Sequence, residues 1–322
     1  MPLESIRSLV RTDLTETDRF ISKELQSDIP FINELVAHTL SAGGKRIRPL
    51  LVLLSARALD HQKLHHIELA SAIELIHTAT LLHDDVVDSS NLRRGHETAN
   101  SIWGNEASVL VGDFLYSRAF QLIVKLQHLP ILSIFSNATN IIAEGEVLQL
   151  INCHNPDTTE ASYFDVIMRK TAKLFEVATQ AGAALCTDNL DYISAMQKYG
   201  LNLGIAYQLI DDALDYSASA DQTGKNMGND ITEGKPTLPL IYALTKGTTQ
   251  EVDLLRTAIQ TGSTTEIPSI VKIIESTGAI EYTSNAAKQH AKQACDALTL
   301  IPESPYREAL HRLAGFVVER SY

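Results

Sequence analysis

The sequence contains few cysteines and no excess of positive charge. Its three cysteines, Cys153, Cys186 and Cys295, are scattered and do not have the spacing of a metal-binding knuckle or a redox pair. This predicts thiols rather than disulfides, as expected in a reducing compartment. The formal net charge of -12 disfavours nucleic acid and anionic membrane surfaces as partners, because both attract an excess of Lys and Arg.

Long hydrophobic runs are also missing. The longest apolar run near the start is Leu50–Leu54, and nothing approaches the roughly 18 apolar residues that a membrane span requires. The beginning of the sequence carries many charged side chains and no apolar signal-peptide core. We therefore expect a cytoplasmic protein with no membrane span.

Strand signals are weak, whereas helical periodicity is strong. Asn-Gly and Asp-Gly hairpin turns do not occur. Residues 69–87 are apolar around almost the whole helical circumference, which predicts a buried helix. Further helices are predicted at residues 107–126, 131–150, 161–185, 191–214, 236–246, 250–260, 266–276, 280–299 and 305–319. Because no linker divides the chain, we predict one all-α domain of about a dozen helices over residues 1–322.

The pattern Asp-Asp-x-x-Asp occurs twice, at residues 84–88 and 211–215. In a helix, the first and last aspartates of each cluster lie on one face, where like charges repel. A hard divalent cation removes this repulsion, and ligands that are all oxygen atoms favour magnesium. One cluster alone is more simply a solvated acidic face. Two copies, each after an apolar helical run, favour a pair of magnesium sites.

Cationic residues occur at fixed places around the first cluster. Gly43-Gly44-Lys45-Arg46-Ile47-Arg48-Pro49 precedes a predicted helix start, and Arg93-Arg94-Gly95 follows the first cluster. Helix N-termini and guanidinium groups both bind phosphate. We interpret the combination as a site for diphosphate esters. A self-contained patch of salt bridges is the alternative, and a His-Asp phosphohydrolase built on His83 lacks further histidine ligands.

The glycine-rich segment 224–234 follows the second cluster, contains Lys225 and is followed by Lys235. Its length and composition predict a mobile loop that closes over the phosphates. An ordinary connection between helices is the alternative.

These motifs, in this order and spacing, resemble those of the trans-isoprenyl (polyprenyl) diphosphate synthases from about residue 30 onwards. The resemblance implies the all-α isoprenoid synthase fold, with a central cavity between two facing aspartate-rich helices, and a homodimer. It also implies that isopentenyl diphosphate is added to an allylic diphosphate such as farnesyl diphosphate, with two or three Mg²⁺ ions per site. The uninterrupted spacing within residues 84–88 resembles that of long-chain members.

The resemblance also assigns roles by matching position. The catalytic aspartates are Asp84, Asp85, Asp88, Asp211, Asp212 and Asp215, of which Asp84, Asp88 and Asp211 bind metal. Isopentenyl diphosphate is held by Lys45, Arg48, His77 and Arg94. The allylic diphosphate is held by Arg93, Lys170, Thr171, Gln208, Lys225 and Lys235.

Product length is expected to depend on the helix that leads to Asp84. The growing chain would run along it past Ala79, Thr80 and Ile76, and about 22 Å separates Asp84 from Leu69 in a helix. Small side chains at 79 and 80 leave this path open, although both residues also suit ordinary helix packing.

Two rival functions remain open. A terpene cyclase shares the fold but usually lacks a second intact aspartate cluster and the site at Lys45 and Arg48. A non-catalytic partner subunit of a heteromeric synthase tends to lose its aspartates.

Overall fold

A computed structural model describes residues 3–60, 65–216, 228–263 and 265–319. The regular structure of these residues is almost entirely helical, so the predicted all-α class is confirmed. The α-helices in chain order are α1 (Leu3–Ser8), α2 (Arg11–Glu24), α3 (Pro30–Ser41), α4 (Ile47–Ala58), α5 (His65–Val87), α6 (Ala99–Trp103), α7 (Asn105–Lys125), α8 (Leu129–Asn152), α9 (Glu160–Ile167), α10 (Lys173–Ala184), α11 (Leu190–Asp215), α12 (Asn229–Thr232), α13 (Leu238–Lys246), α14 (Thr249–Thr261), α15 (Ile267–Ser276), α16 (Ala279–Ala297) and α17 (Pro305–Val318).

A short antiparallel hairpin joins α5 to α6. Its strands are β1 (Leu92–Arg93) and β2 (His96–Glu97). The turn consists of Arg94 and Gly95, both with positive φ, at 53° and 79°. Such turns usually contain Asn-Gly or Asp-Gly, so the sequence pattern did not indicate this hairpin.

One predicted helix, 161–185, is interrupted. The π-helical turn Met168–Ala172 separates α9 from α10 and contains Lys170 and Thr171. The prediction of a continuous helix is therefore wrong here. Turns of this kind are rare and frequently occur at functional sites.

The chain forms two compact units, and the first contains residues up to Asn137, Val177–Gln197 and Leu298–Leu313. Its central helix is α5, which contacts α2, α4 and α7. Most residues of α5 before Asp84 are buried on every side, which confirms the predicted buried helix. Each large apolar side chain buried in this way contributes about 1.5–3 kcal/mol.

The second unit contains Ala138–Glu176, Lys198–Ala297 and the residues from Ala314 onwards. One of its apolar clusters joins the end of α11 to α9 and α13 through Leu209, Tyr163 and Leu238. The second aspartate cluster thus lies at the end of a buried helix, as predicted. The predictions of one domain and of a central cavity stay predictions.

Candidate active site

The first aspartate cluster lies where α5 ends. Its middle residue, Asp85, is only 4% exposed, whereas Asp84 and Asp88 are partly exposed. Arg93 on β1 donates to Asp85 Oδ1 from Nε at 2.8 Å and from Nη2 at 2.7 Å. Burial raises the pKa of Asp85 above its ordinary value, Arg93 opposes that rise, and Asp84 and Asp88 add to it. The hairpin thus supplies the cation for the buried carboxylate.

Asn100 on α6 fixes the chain between α5 and the hairpin. Its Nδ2 donates to the carbonyl oxygens of Asp85 and Ser90, both at 3.1 Å. The sequence patterns did not single out this residue. An Asn at the start of a short helix has no distinctive local signal.

His83 lies between α5 and α7. A Cβ at Gly112 would lie 2.3 Å from His83 Nε2, so a larger residue there would displace the imidazole. His83 Nε2 lies 3.2 Å from the Val109 carbonyl oxygen and 3.4 Å from Asp113 Oδ1. These contacts support a structural role for His83 rather than a phosphohydrolase centre.

A cationic group forms around the start of α4. Arg48 Nη1 lies 3.0 Å from His77 Nε2. Because arginine has no acceptor, this His77 nitrogen must accept, and the imidazole is neutral. Burial lowers the pKa of His77 well below its ordinary value, and the charges of Arg48 and Arg94 lower it further. A Cβ at Gly44 would lie 2.6 Å from Arg94 Nη1, so the glycine loop approaches that guanidinium closely.

The second aspartate cluster ends α11. Its middle residue, Asp212, is also 4% exposed. Tyr163 OH donates to Asp212 Oδ2 at 2.5 Å, and Gln208 Nε2 donates to Oδ1 at 2.6 Å. Burial raises the pKa of Asp212 to about 7; the two hydrogen bonds oppose the rise, and Asp211 and Asp215 add to it.

The π-helical turn is connected to this cluster. Thr171 Oγ1 donates to Gln208 Oε1 at 3.0 Å, so Gln208 joins the turn to Asp212. Lys170 Nζ lies 2.5 Å from Glu146 Oε2. Glu146 was not among the predicted site residues, since nothing in its local pattern indicates a lysine partner.

Two glycines make room for the turn. A Cβ on Gly145 would lie 2.7 Å from the Lys170 backbone nitrogen, and one on Gly204 would lie 2.6 Å from the Ala172 Cα. The backbones of α8 and α11 therefore approach the turn more closely than any residue with a Cβ permits.

Asp230 is a further, partly buried aspartate beside the second cluster. Its backbone N–H donates to Asp215 Oδ2 at 3.1 Å. Among the described residues its Oδ2 has no hydrogen-bond partner and is shielded from solvent. Burial raises the pKa of Asp230 well above its ordinary value, and the negative charges of Asp215 and Asp212 raise it further. The charge of Lys235 opposes the rise. Sequence analysis missed Asp230; a lone aspartate after a glycine segment was its only signal.

Comparison with known proteins decides the family. The polyprenyl synthetase family matches residues 29–276. The chain belongs to the polyprenyl synthetase family. It is 48% identical to an octaprenyl diphosphate synthase of Haemophilus influenzae, over 100% of this chain and 98% of that protein. The identity to an octaprenyl diphosphate synthase of Escherichia coli is 47%, over 99% of both chains.

Solved structures agree with the polyprenyl synthetase assignment. A Caulobacter crescentus polyprenyl synthase complexed with calcium and isoprenyl diphosphate matches with a TM-score of 0.95 and 42% identity, over 99% of this chain and 98% of that one. A decaprenyl diphosphate synthase from Rhodobacter capsulatus matches with a TM-score of 0.94 and 40% identity, over 99% of both. The chain is therefore a prenyltransferase, as predicted.

This polyprenyl synthetase keeps most of its predicted site residues in two groups. Within the first unit the glycine loop, Arg48, His77 and Arg94 gather near the start of α4. Within the second unit Thr171, Gln208 and Asp212 are linked by hydrogen bonds. Lys235 Nζ lies 2.5 Å from Glu233 Oε2. Lys225 lies outside the described residues.

The acidic residues suit a divalent cation that arrives with a diphosphate. Among the described residues, no three His, Cys, Asp or Glu side chains are already arranged as a metal cage. The candidate donors are all carboxylate oxygen atoms, and Asp230 Oδ2, which is shielded and has no hydrogen-bond partner among the described residues, lies beside the second cluster. Mg²⁺ characteristically takes one or two carboxylates and completes its shell with water and phosphate. The residues present therefore fit Mg²⁺.

The expected chain-length residues lie in the interior of the first unit. Ile76 and Ala79 are fully buried. Thr80 is partly buried, and its hydroxyl donates to the His77 carbonyl oxygen at 2.8 Å.

Helix α7 (Asn105–Lys125) is long and apolar enough to cross a membrane by length and composition alone, which is weak support for a span. It exposes Leu110 and Val124, and α8 exposes Leu150 and Ile151.

No disulfide joins the three cysteines, as predicted. Burial raises the pKa of the Cys186 thiol to about 12.

Proposed function

We propose that this prenyltransferase adds isopentenyl diphosphate units to an allylic diphosphate, with farnesyl diphosphate as the primer. Its product is an all-trans octaprenyl (C40) diphosphate that supplies the side chain of a respiratory quinone. The cationic group at Arg48, His77 and Arg94 carries the proposal. This group gathers at the start of α4 and suits a second diphosphate substrate. A terpene cyclase binds only one diphosphate and has no use for it.

Each group has its own substrate in this proposal. Lys45, Arg48 and Arg94 bind the diphosphate of isopentenyl diphosphate, with His77 as the acceptor for Arg48. Arg93, Lys170, Thr171, Gln208, Lys225 and Lys235 bind the allylic diphosphate. Bound Mg²⁺, two or three ions per site, would neutralise charge on the leaving diphosphate. Asp84, Asp88 and Asp211 would hold these ions, with Asp215 beside them.

The reaction follows from these contacts. The allylic C–O bond breaks, and its electron pair leaves with the diphosphate, which the cationic side chains stabilise. The isopentenyl double bond then donates its electron pair to the allylic cation and forms the new C–C bond. Loss of a proton restores a double bond. The departing diphosphate accepts that proton in this proposal, and no side-chain base is assigned.

The middle aspartates have a different part. Asp85 holds Arg93, and Asp212 holds Gln208 and, through it, Thr171. These two carboxylates therefore serve the reaction by fixing the side chains that contact substrate, while the outer aspartates bind metal.

A homodimer is proposed as the assembly, with a cytoplasmic location. Exposed apolar residues of α7, such as Leu110 and Val124, provide the contact surface, because exposed apolar patches mark interaction sites. A second copy of the chain would bury the same surface on both partners. Size-exclusion chromatography with light scattering tests this, and a monomer at micromolar concentration would contradict it.

Product length is proposed to depend on Ala79, with Thr80 and Ile76 deeper or beside it along α5. Ala79→Tyr places an aromatic ring in the path of the chain and is expected to shorten the main product. Ala70→Val on the same buried helix is the matched control. Chromatography of the two sets of products decides it, and unchanged lengths in Ala79→Tyr would contradict the proposal.

The elongation activity itself is tested with purified protein, farnesyl diphosphate, labelled isopentenyl diphosphate and Mg²⁺. The expected product is C40 diphosphate, sized after removal of the diphosphate. No incorporation of label would refute the proposal. A shorter or longer ladder would correct the product and leave the activity in place.

A further inference from the structure

Helix α4 is fixed at both ends by arginine–carboxylate ion pairs. At its start, Arg46 pairs with Glu74 of α5, and Arg46 Nε lies 3.8 Å from Asp18 Oδ1 of α2. In its last turn, Arg57 Nη2 lies 2.8 Å from Asp13 Oδ1 of α2. The carboxylates of both pairs are largely shielded from solvent, with side-chain exposures of 8% for Glu74 and 11% for Asp13. Neither pair was expected from the sequence.

The pair at the start of α4 differs because of its backbone. Arg46 has φ 47° and ψ 38°, the left-handed conformation, which is unfavourable for a residue with a Cβ. Its carbonyl oxygen accepts the first helical hydrogen bond of α4, from Leu50 N at 3.1 Å. Such a conformation persists only where the surroundings hold it. Of the two carboxylates that Arg46 pairs with, Glu74 is shielded and in direct contact, whereas Asp18 is 63% exposed and lies 3.8 Å away.

The turn at Arg46 sets the direction of the proposed diphosphate ligands. Lys45 precedes it directly, and Arg48 follows by two residues. Glu74 and His77 are three residues apart on α5, so they lie on one helix face. Glu74 accepts a hydrogen bond from Arg46. His77 Nε2 accepts one from Arg48 Nη1, at 3.0 Å. Two neighbouring contacts thus align the start of α4 with α5.

We propose that Arg46 and Glu74 are positioning residues for isopentenyl diphosphate. The pair holds the left-handed turn that orients Lys45 and keeps Arg48 against His77, so that the cations are in place before the substrate binds. Neither Arg46 nor Glu74 needs to contact the substrate. This inference rests on the proposed function and extends it to residues beyond the diphosphate ligands themselves.

Glu74→Gln tests the inference, because it keeps the side-chain shape and removes the charge. The KM and calorimetric Kd for isopentenyl diphosphate are expected to rise on the order of tenfold, since small misplacements of binding groups are costly. The KM for farnesyl diphosphate should stay within about twofold, because only one substrate's ligands move.

Asp13→Asn is the matched control. It removes the carboxylate of the pair at the other end of the same helix, where Asp13 is 11% exposed against 8% for Glu74. We expect it to lower Tm at least as much as Glu74→Gln while leaving the Kd for isopentenyl diphosphate unchanged. A merely structural role for Glu74 predicts equal effects on Kd from the two variants.

Arg46→Gly gives an independent variant. Glycine adopts the left-handed conformation readily, so this change removes the ion pair without straining the turn. The Kd for isopentenyl diphosphate is expected to rise as in Glu74→Gln, and the double variant should show no further rise, because both changes break one interaction. This variant also decides the matter if Glu74→Gln does not fold.

Three results would overturn the inference. They are an unchanged Kd in a folded Glu74→Gln or Arg46→Gly protein, an equal rise of Kd in Asp13→Asn, and additive effects in the double variant. Wild-type protein that neither binds isopentenyl diphosphate nor elongates would instead refute the proposed function, and the inference with it. Wild-type activity with unaffected variants refutes the inference alone.

Discussion

The middle aspartates of the two clusters occupy the same motif position and are equally buried, yet their partners differ. Asp85 is paired with a cation, Arg93, whereas Asp212 accepts hydrogen bonds from the neutral groups of Tyr163 and Gln208. Burial raises the pKa of both, to about 7 for Asp212. An identical motif is therefore stabilised by charge in one unit and by hydrogen bonding in the other.

We therefore expect the outer aspartates, rather than the middle ones, to contact metal and substrate. In both clusters these residues are partly exposed, while the middle one is enclosed. In the proposed function, the outer aspartates Asp84, Asp88 and Asp211 hold metal, and the enclosed middle aspartates position neighbouring side chains.

Asp84→Asn and Asp211→Asn are expected to have the largest effect on activity. Each change removes a carboxylate that would hold Mg²⁺, and the loss of that cation beside the leaving diphosphate should lower kcat by on the order of 10³-fold. The free energy of unfolding should stay the same or rise slightly, because repulsion within the cluster is relieved. Steady-state kinetics and urea unfolding measure the two effects. Loss of folding in both variants would show that the outer aspartates are structural.

Asp85→Asn and Asp212→Asn should lower the free energy of unfolding by different amounts. Asp85→Asn leaves the Arg93 guanidinium without a carboxylate partner. It is expected to lower the free energy of unfolding by about 1–3 kcal/mol, because a desolvated charge then lacks its charged hydrogen-bond acceptor. Asp212→Asn is expected to cost about 1 kcal/mol or less, because an amide can still bond with Tyr163 and Gln208. Urea unfolding at pH 7 compares them. Equal costs would remove the distinction.

The positions of the helices could largely be predicted from sequence, because apolar periodicity is a local property. Predicted segments such as 191–214 and 250–260 correspond closely to α11 and α14. The π-helical turn could not be predicted. It depends on the close approach of Gly145 and Gly204, which are distant in sequence.

The same division applies to the site. The aspartate clusters and Arg93–Arg94 stand out because their spacing carries the chemistry. Other contacts depend on which helices pack together, namely the Arg46–Glu74 pair, the bonds of Asn100 and the Lys170–Glu146 contact. Local sequence patterns do not reveal which helices pack together.

Tyr163→Phe should have a moderate effect on the second cluster only. It removes the hydroxyl that donates to Asp212 and is expected to cost about 1 kcal/mol of stability. The KM for farnesyl diphosphate should rise severalfold, because the link from Asp212 through Gln208 to Thr171 loosens. The KM for isopentenyl diphosphate should not change. Tyr199→Phe, a buried tyrosine of the same chain, is the control, and equal kinetic effects of the two would contradict the prediction.

The pH dependence of stability at Asp13 is the smallest expected effect, and it tests how a paired aspartate titrates. Burial favours its neutral form, but the contacts with His66 and Arg57 outweigh this and lower its pKa below the ordinary value of 3.8. Its stabilising contribution is therefore present above pH 3.8 and is lost as the pH falls through the lower folded-state pKa. The stability gap between wild type and Asp13→Asn should shrink as the pH falls from about 5 towards 2. A gap that widens on acidification would contradict the sign.

Metal binding tests the central claim most directly. Isothermal calorimetry of Mg²⁺ binding, in the presence of inorganic diphosphate, can be compared for Asp84→Asn, Asp85→Asn, Asp211→Asn and Asp212→Asn. The outer variants are predicted to lose Mg²⁺ affinity by at least about tenfold, and the middle variants are predicted to retain it while folded. Equal loss in all four would contradict the assignment of metal binding to the outer aspartates and of structure to the middle ones.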